Sequence, residues 1–184
     1  AMALGLAFPR STVLVADINP RSLCAGRALA STLSLPNIEF ICTDLAQTAI
    51  SRPVDLVVGL HACGGLSDAA LGLAAAHGAA FVVCPCCFGK HTHLVPNHPA
   101  WNLAHPDTCD SRIISRLAES PQREVSRRAM GDVNGRRLQA VATHGAAHTT
   151  HHLVAWQAEY SEELSAKNVV LCGFWEERHC VPSE

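Results

Sequence analysis

The chain has 184 residues, of which 48% are hydrophobic and 16% are charged, so it can bury the core of one domain and is short for two. Its net charge of -2 excludes a globally basic surface for nucleic acid. Nine cysteines without a secretory leader pattern predict reduced thiols and a cytoplasmic location, and they leave a nuclear one open. No apolar stretch predicts a membrane span.

Strands and helices alternate along the first half of the chain. β-branched and apolar runs predict strands over 11–17, 38–44, 54–60 and 79–84. Apolar residues at helical spacing predict helices over 21–33 and 68–78, the second with Ser67 as its N-cap. This alternation is typical of βαβ units and a parallel sheet.

The second half of the chain predicts a loop, two helices and a hairpin. The loop covers 90–106, and the helices cover 107–120 and 121–143. Strands over 152–160 and 167–175 are close enough in sequence to pair antiparallel. The predicted fold class is therefore α/β, a Rossmann-like doubly wound sheet that is mostly parallel with a C-terminal antiparallel hairpin. Residues 1–184 are predicted to form a single domain.

Two aspartates follow the first two predicted strands, where open parallel sheets bind ligands. Asp17 can accept hydrogen bonds from both hydroxyls of a ribose, and Asp44 can accept one from an adenine amino group. Ile18 and Leu45 would flank the ring. The alternative is that each aspartate only caps a helix. Two carboxylates at consecutive strand ends favour the cofactor interpretation.

Turns rich in cysteine and glycine follow the next two strands, at 61–65 and 84–89. A substrate pocket would use His61 as hydrogen-bond partner or proton acceptor, with a lining of Cys63, Gly64, Cys84, Pro85, Cys86 and Cys87. A zinc site could draw on Cys63, Cys84, Cys87 and His91, but the spacing is not Cys-x-x-Cys. A redox pair of the adjacent Cys86 and Cys87 would be strained. The pocket is favoured, and no metal is predicted.

Seven of the 14 basic residues are arginines between positions 112 and 137. They are Arg112, Arg116, Arg123, Arg127, Arg128, Arg136 and Arg137. These side chains could contact RNA phosphates and make binding depend on salt. The alternative is an ordinary solvated helix face, balanced by Asp110, Glu119, Glu124 and Asp132.

Three stretches, DLVVGLHACGGLSDAAL, FVVCPCCFGK and YSEELSAKNVVLCGF, resemble a family of class I S-adenosylmethionine-dependent methyltransferases. The family includes the methyltransferase domain of glutathione-S-transferase C-terminal domain-containing proteins. More distantly, the chain is similar to tRNA 2′-O-methyltransferases with a CHHC zinc finger. The resemblance implies S-adenosylmethionine as cofactor, with Asp17 at the ribose, Asp44 at the adenine side, and Leu60 and His61 at the same site. It also puts His61, Ala62, Cys63 and Gly64 in the catalytic turn.

The resemblance has one departure, at the start of the chain. Such methyltransferases open with a strand and a glycine-rich loop, whereas AMALGLAFPR is typical of the end of the helix that follows that loop. We therefore expect either a fragment of a longer protein or a fold that lacks the first strand. In both cases these residues are expected to bind S-adenosylmethionine weakly or not at all. The alternative function is a non-catalytic methyltransferase-like binding module, stabilised by zinc.

Overall fold

The structure is a computed structural model that describes residues 1–45, 50–98, 100–101, 109–146 and 150–177. It divides into two compact units, Ala1–Ile50 and Ser51–Glu184. Among the described residues, none of the helices is both long enough and apolar enough to cross a bilayer. That residues 1–184 form a single domain stays a prediction.

The first unit consists of two helices and two parallel strands. Along the chain these are α1 (Met2–Ala7), β1 (Val13–Asp17), α2 (Pro20–Thr32) and β2 (Ile38–Cys42). The strands pair in register from Val13 opposite Ile38 to Asp17 opposite Cys42. The side chain of Asn19 caps α2 by accepting hydrogen bonds from the N–H groups of Arg21 and Ser22.

In its described residues, the second unit combines a four-stranded sheet with three α-helices. Its elements are β3 (Leu56–Ala62), α3 (Gly65–His77), β4 (Ala80–Pro85), a 3₁₀ turn (Thr92–Leu94), α4 (Cys109–Ala118), α5 (Arg123–Ala146), β5 (His151–Glu159) and β6 (Val169–Glu177). The strand order is β3-β4-β6-β5, with β3 and β4 parallel and the other pairs antiparallel. The predicted fold class is confirmed, and strand pairing is divided between two sheets, one in each unit.

The core of the second unit lies between the sheet and the helices α3 and α5. Its fully buried side chains include Leu71, Ala74, Ala75, Phe81, Val83, Trp101, Val141 and Leu171. The alanines of α3 let that helix lie close to the sheet, where Phe81 of β4 and Leu171 of β6 belong to the same buried cluster. Burial of these apolar side chains is the main stabilisation of the unit.

The helix α3 begins earlier than the sequence predicts. Gly64 is its N-cap residue, and no side chain caps it. The hydroxyl of Ser67 donates instead to the carbonyl of Ala62, at 2.5 Å, and ties the first turn of the helix to the end of β3. The prediction of Ser67 as N-cap was wrong, because two successive glycines allow the chain to enter the helix directly after the strand.

The turn after β3 lies against the turn after β4. The N–H of Gly64 donates to the carbonyl of Cys87 (2.5 Å), and the N–H of Gly65 donates to the carbonyl of Lys90 (2.9 Å). Gly64 has φ 52° and ψ -122°, a conformation that L side chains rarely adopt. A Cβ atom on Gly64 would lie 1.8 Å from the Lys90 oxygen, so this close approach requires glycine.

A buried ion pair holds the first of these turns from the side of α5. Arg137 is 2% exposed, and it donates through Nε and Nη2 to the two carboxylate oxygens of Asp68, at 2.9 and 3.0 Å. Its Nη2 also donates to the carbonyl of Gly64 (3.0 Å), and its guanidinium lies over the ring of Phe88. Arg137 is therefore not available to an RNA phosphate, contrary to the prediction.

Loss of the carboxylate of Asp68 tests the importance of this pair. Asp68→Ala leaves the guanidinium of Arg137 buried without its counter-charge, so we expect the free energy of unfolding to fall by about 3–5 kcal/mol. The matched control is Glu124→Ala, which breaks an ion pair with Arg128 whose side chains are 80% exposed. That control should cost less than about 0.5 kcal/mol in urea unfolding followed by circular dichroism. Equal losses in the two variants would contradict the assignment.

A second prediction concerns the backbone of Gly64. Gly64→Ala is expected to lower the free energy of unfolding by about 1–3 kcal/mol from its backbone conformation alone, with a further loss as the Lys90 carbonyl is displaced. The control is Gly89→Ala, because an added Cβ there meets nothing within 4 Å and the residue does not have positive φ. Urea unfolding of both variants makes the comparison. A Gly64→Ala protein as stable as Gly89→Ala would show that the turns do not need this contact.

Candidate functional site

Two carboxylates follow the parallel strands of the first unit. Asp17 is the last residue of β1, and Asp44 lies two residues beyond the end of β2. The N–H of Thr43 donates to the carbonyl of Asp17 (3.0 Å), which continues the pairing past Cys42. The structure therefore places both predicted cofactor-binding aspartates at the same end of neighbouring strands.

The carboxylate of Asp17 is already part of a local turn. Its Oδ1 accepts a hydrogen bond from the N–H of Asn19 (2.8 Å), while Asn19 itself caps α2. Asp17 thus supports the helix start without being its N-cap. Ile18 is 68% exposed and Leu45 is half-buried. The roles predicted for these side chains toward ribose and adenine stay predictions.

A cavity of about 280 Å³ lies within the second unit, where β3 and β4 end. Its lining consists of Leu60, His61, Cys84, Pro85, Cys86, Tyr160, Leu164 and Ser165. The parallel register puts Ala62 opposite Pro85, so the two predicted turns leave the sheet side by side. Of the residues predicted for a substrate pocket, His61 and the segment 84–86 share this cavity.

His61 lies in an irregular part of β3. The pairing with β4 shifts between Gly59 and Ala62, which is characteristic of a β-bulge. His61 has φ 53°, a left-handed conformation that is uncommon outside glycine, and its side chain is exposed. Leu60, beside it, is 72% exposed. The bulge thus places the apolar side chain of Leu60 and the imidazole of His61 at the mouth of the cavity, next to strand β4.

Three of the lining residues were missed by reasoning from the sequence. Tyr160, Leu164 and Ser165 belong to the connection between β5 and β6. This connection is closed by a hydrogen bond from the N–H of Tyr160 to the carbonyl of Asn168 (2.9 Å), and Tyr160 Oη donates to the carbonyl of Lys167 (3.2 Å). In the sequence, the one indication of this connection was the stretch YSEELSAKNVVLCGF. That stretch resembles the methyltransferase family, but the resemblance assigned no role to these three residues.

The two turns bring three thiols together. The Sγ atoms of Cys63 and Cys86 are 2.7 Å apart, and those of Cys63, Cys86 and Cys87 all lie within 4.8 Å of one another. Burial raises the pKa of Cys86 to about 12, and the neighbouring thiols Cys63 and Cys87 add to the rise. Cys86 is therefore a neutral thiol at physiological pH.

Cys84 lies in β4, two residues before Cys86, and is outside this cluster. Burial, with a contribution from Cys172, raises the pKa of Cys84 above its ordinary value. All seven cysteines whose side chains are described are free thiols. The sequence suggested Cys63, Cys84, Cys87 and His91 as zinc ligands. The thiols that meet in the structure are instead those of Cys63, Cys86 and Cys87. A cytoplasmic location stays a prediction.

The second turn is also held from α4. The N–H of Phe88 donates to Oε1 of Glu119 (2.7 Å), and Lys167 pairs with the other oxygen of this carboxylate. Burial opposes the ionisation of Glu119, but the hydrogen bonds from Lys167 and Phe88 outweigh it, so the pKa of Glu119 lies below its ordinary value. Glu119 therefore supports the cysteine turn, although the sequence suggested that it balances the arginines.

Most of the described arginines in the predicted RNA-binding group have acidic partners. Arg123 and Arg127 pair with Glu162, and Arg127 also pairs with Glu159. Arg128 and Arg136 pair with acids one helical turn away, Glu124 and Asp132. Arg116 is exposed, while the side chain of Arg112 lies outside the described residues. Pairing of this kind is typical of a solvated helix face, and RNA as a partner stays a prediction.

Comparison with known proteins relates the first part of the chain to methyltransferases. Residues 4–92 match a family profile described as a methyltransferase domain. The glutathione S-transferase C-terminal domain-containing protein of Bos taurus is 28% identical over an alignment of 155 positions that covers 78% of this chain and 24% of that protein. Its homolog from Drosophila pseudoobscura pseudoobscura is 34% identical over 90 residues, or 49% of this chain and 15% of the homolog.

Among solved structures, the N-methyltransferase NodS from Bradyrhizobium japonicum WM9 is 17% identical, with a TM-score of 0.41 over 91% of this chain and 74% of that one. The chain spans about a quarter or less of the length of the two curated relatives. Their names agree with the resemblance expected from the sequence. These matches relate residues 4–92 to methyltransferase domains.

Proposed function

We propose that this chain is part of an S-adenosylmethionine-dependent methyltransferase. The observation that carries the proposal is the position of Asp17 and Asp44 at the same end of two parallel strands, inside the segment that matches a methyltransferase domain. Carboxyl ends of parallel strands are where open α/β sheets bind nucleotide cofactors.

The first unit supplies the groups for the nucleoside part of the cofactor. The carboxylate of Asp17 accepts from ribose hydroxyls, and the N–H of Asn19 on its Oδ1 fixes the orientation of that carboxylate. Asp44 accepts from the adenine amino group, and the exposed side chain of Ile18 offers apolar contact to the ring together with Leu45. A hydrogen bond to a charged group contributes about 1.5–3 kcal/mol, so loss of either carboxylate should weaken binding measurably.

The cavity of the second unit is the proposed site for the methyl acceptor. It has apolar walls from Leu60, Pro85 and Leu164, and polar groups from His61, Tyr160 and Ser165. Its volume of about 280 Å³ fits the reacting group of a substrate better than a whole large substrate. Methyl transfer is an in-line displacement that depends on alignment. A hydroxyl acceptor also has a proton to lose, and His61 is the proposed acceptor of that proton.

Cofactor binding tests the proposal. Saturation-transfer NMR detects weak complexes, so it suits a chain for which weak binding of S-adenosylmethionine is expected. Transfer to the ribose and adenine protons should occur with the unmodified chain. Asp17→Asn and Asp44→Asn should each weaken binding by about 10–100-fold, because each replaces a charged acceptor by a neutral one.

The matched control is Asp55→Asn. Asp55 is an exposed aspartate directly before the first residue of β3, at the end of that strand away from the cavity. This variant should give the same saturation transfer as the unmodified chain. Transfer that is as strong with Asp17→Asn and Asp44→Asn as with the unmodified chain would refute the proposed cofactor site. The non-catalytic binding module would then be the better description.

A further inference from the structure

The cluster of Cys63, Cys86 and Cys87 has no part in the nucleoside site or in the proton transfer assigned to His61. Each thiol is half-buried, and the three come from two different turns. Their sulfur atoms lie within 4.8 Å of one another. Hydrogen bonding among thiols contributes little, because a thiol is a weak donor and a weak acceptor.

The backbone holds these thiols together independently of their own contact. Gly64 and Gly65, which follow Cys63, are hydrogen-bonded to the carbonyls of Cys87 and Lys90. Arg137 binds the carbonyl of Gly64, and Glu119 binds the N–H of Phe88 directly after Cys87. The sulfur atoms are thus positioned by a network that is largely buried, and this is the kind of preorganisation that a ligand site requires.

We propose that Cys63, Cys86 and Cys87 bind one zinc ion as thiolates. Zinc binds cysteine sulfur at about 2.3 Å in tetrahedral geometry, which puts the sulfur atoms about 3.8 Å apart. The separation of 2.7 Å between Cys63 and Cys86 then needs to open by about 1 Å, while all three sulfur atoms already lie within 4.8 Å of one another. These are shifts that side-chain torsions provide.

A divalent cation suits this cluster, because zinc binds cysteine as the thiolate and stabilises its negative charge. Binding must displace protons from the thiols, so the affinity should rise with pH.

Within the part of the chain that the structure describes, the cluster offers three ligands, which leave the fourth coordination position of zinc open. Structural zinc sites have four protein ligands, whereas three ligands and an exchangeable fourth are typical of sites that bind water or a substrate group. Cys86 belongs to the cluster and also lines the cavity, which gives a small ligand access to that position. The inference concerns metal binding alone, and it stands or falls independently of the proposed methyltransferase function.

Titration with Co²⁺ tests the site on the whole chain, reduced and stripped of metal by a chelator. One equivalent should bind, with the visible bands of tetrahedral cobalt and a near-ultraviolet thiolate-to-metal band, and Zn²⁺ should displace it. Cys63→Ser, Cys86→Ser and Cys87→Ser should each weaken binding by more than about tenfold and reduce the thiolate band. The matched control Cys84→Ser, at a thiol two residues before Cys86 and outside the cluster, should bind within about twofold of the unmodified chain.

Alkylation followed by mass spectrometry provides a second measurement on the unmodified chain, which decides the matter if a serine variant does not fold. Zinc should slow the alkylation of Cys63, Cys86 and Cys87 and leave the rate at Cys84 unchanged. The proposal is overturned if the reduced chain gives no thiolate-to-cobalt band, or if Cys84→Ser weakens binding as much as Cys86→Ser. It is also overturned if Cys63 and Cys86 form a disulfide in air and their reduced thiols bind no metal.

Discussion

The close contact between the turn after β3 and the turn after β4 is the constraint on which the candidate site of the second unit depends. Parallel pairing brings the two strand ends together, but it does not by itself bring the following turns into contact. Gly64 does so, because its backbone adopts positive φ and its missing Cβ admits the Lys90 carbonyl. Arg137 and Asp68 then fix this arrangement from the helical layer, inside the protein.

The same contact serves two neighbouring features. On one side it presents His61 and the segment 84–86 to a cavity that the β5–β6 connection completes. On the other side, the contact brings together the thiols of Cys63, Cys86 and Cys87. Cys86 is common to both, so any change of charge at the thiols acts directly on the polarity of the cavity.

Local patterns in the sequence account for most of the elements and for the grouping of the two turns. Apolar strand runs, Gly78 at the end of α3 and the short hairpin connection each have a cause within a few residues. The pairing of Arg137 with Asp68 links residues 69 positions apart, and Arg137 has the same local context as the arginines that lie on the surface. Tyr160 lines the cavity because β6 lies between β4 and β5. No local pattern in the sequence specifies this strand order. Likewise, Cys86 meets Cys63 because β3 and β4 end side by side. The spacing of the cysteines in the sequence did not distinguish Cys86 from Cys84.

The distance along the chain between Arg137 and its partners also affects synthesis. Gly64 precedes Arg137 by 73 positions, so the turn leaves the ribosome long before the guanidinium that anchors it. During that interval Asp68 has no guanidinium partner, although the neighbouring alanines and leucines of α3 can already pack on β3 and β4. Non-local contacts of this kind form late and slow folding. The two turns that carry Cys63, Cys86 and Cys87 can therefore be completed only after α5 has emerged.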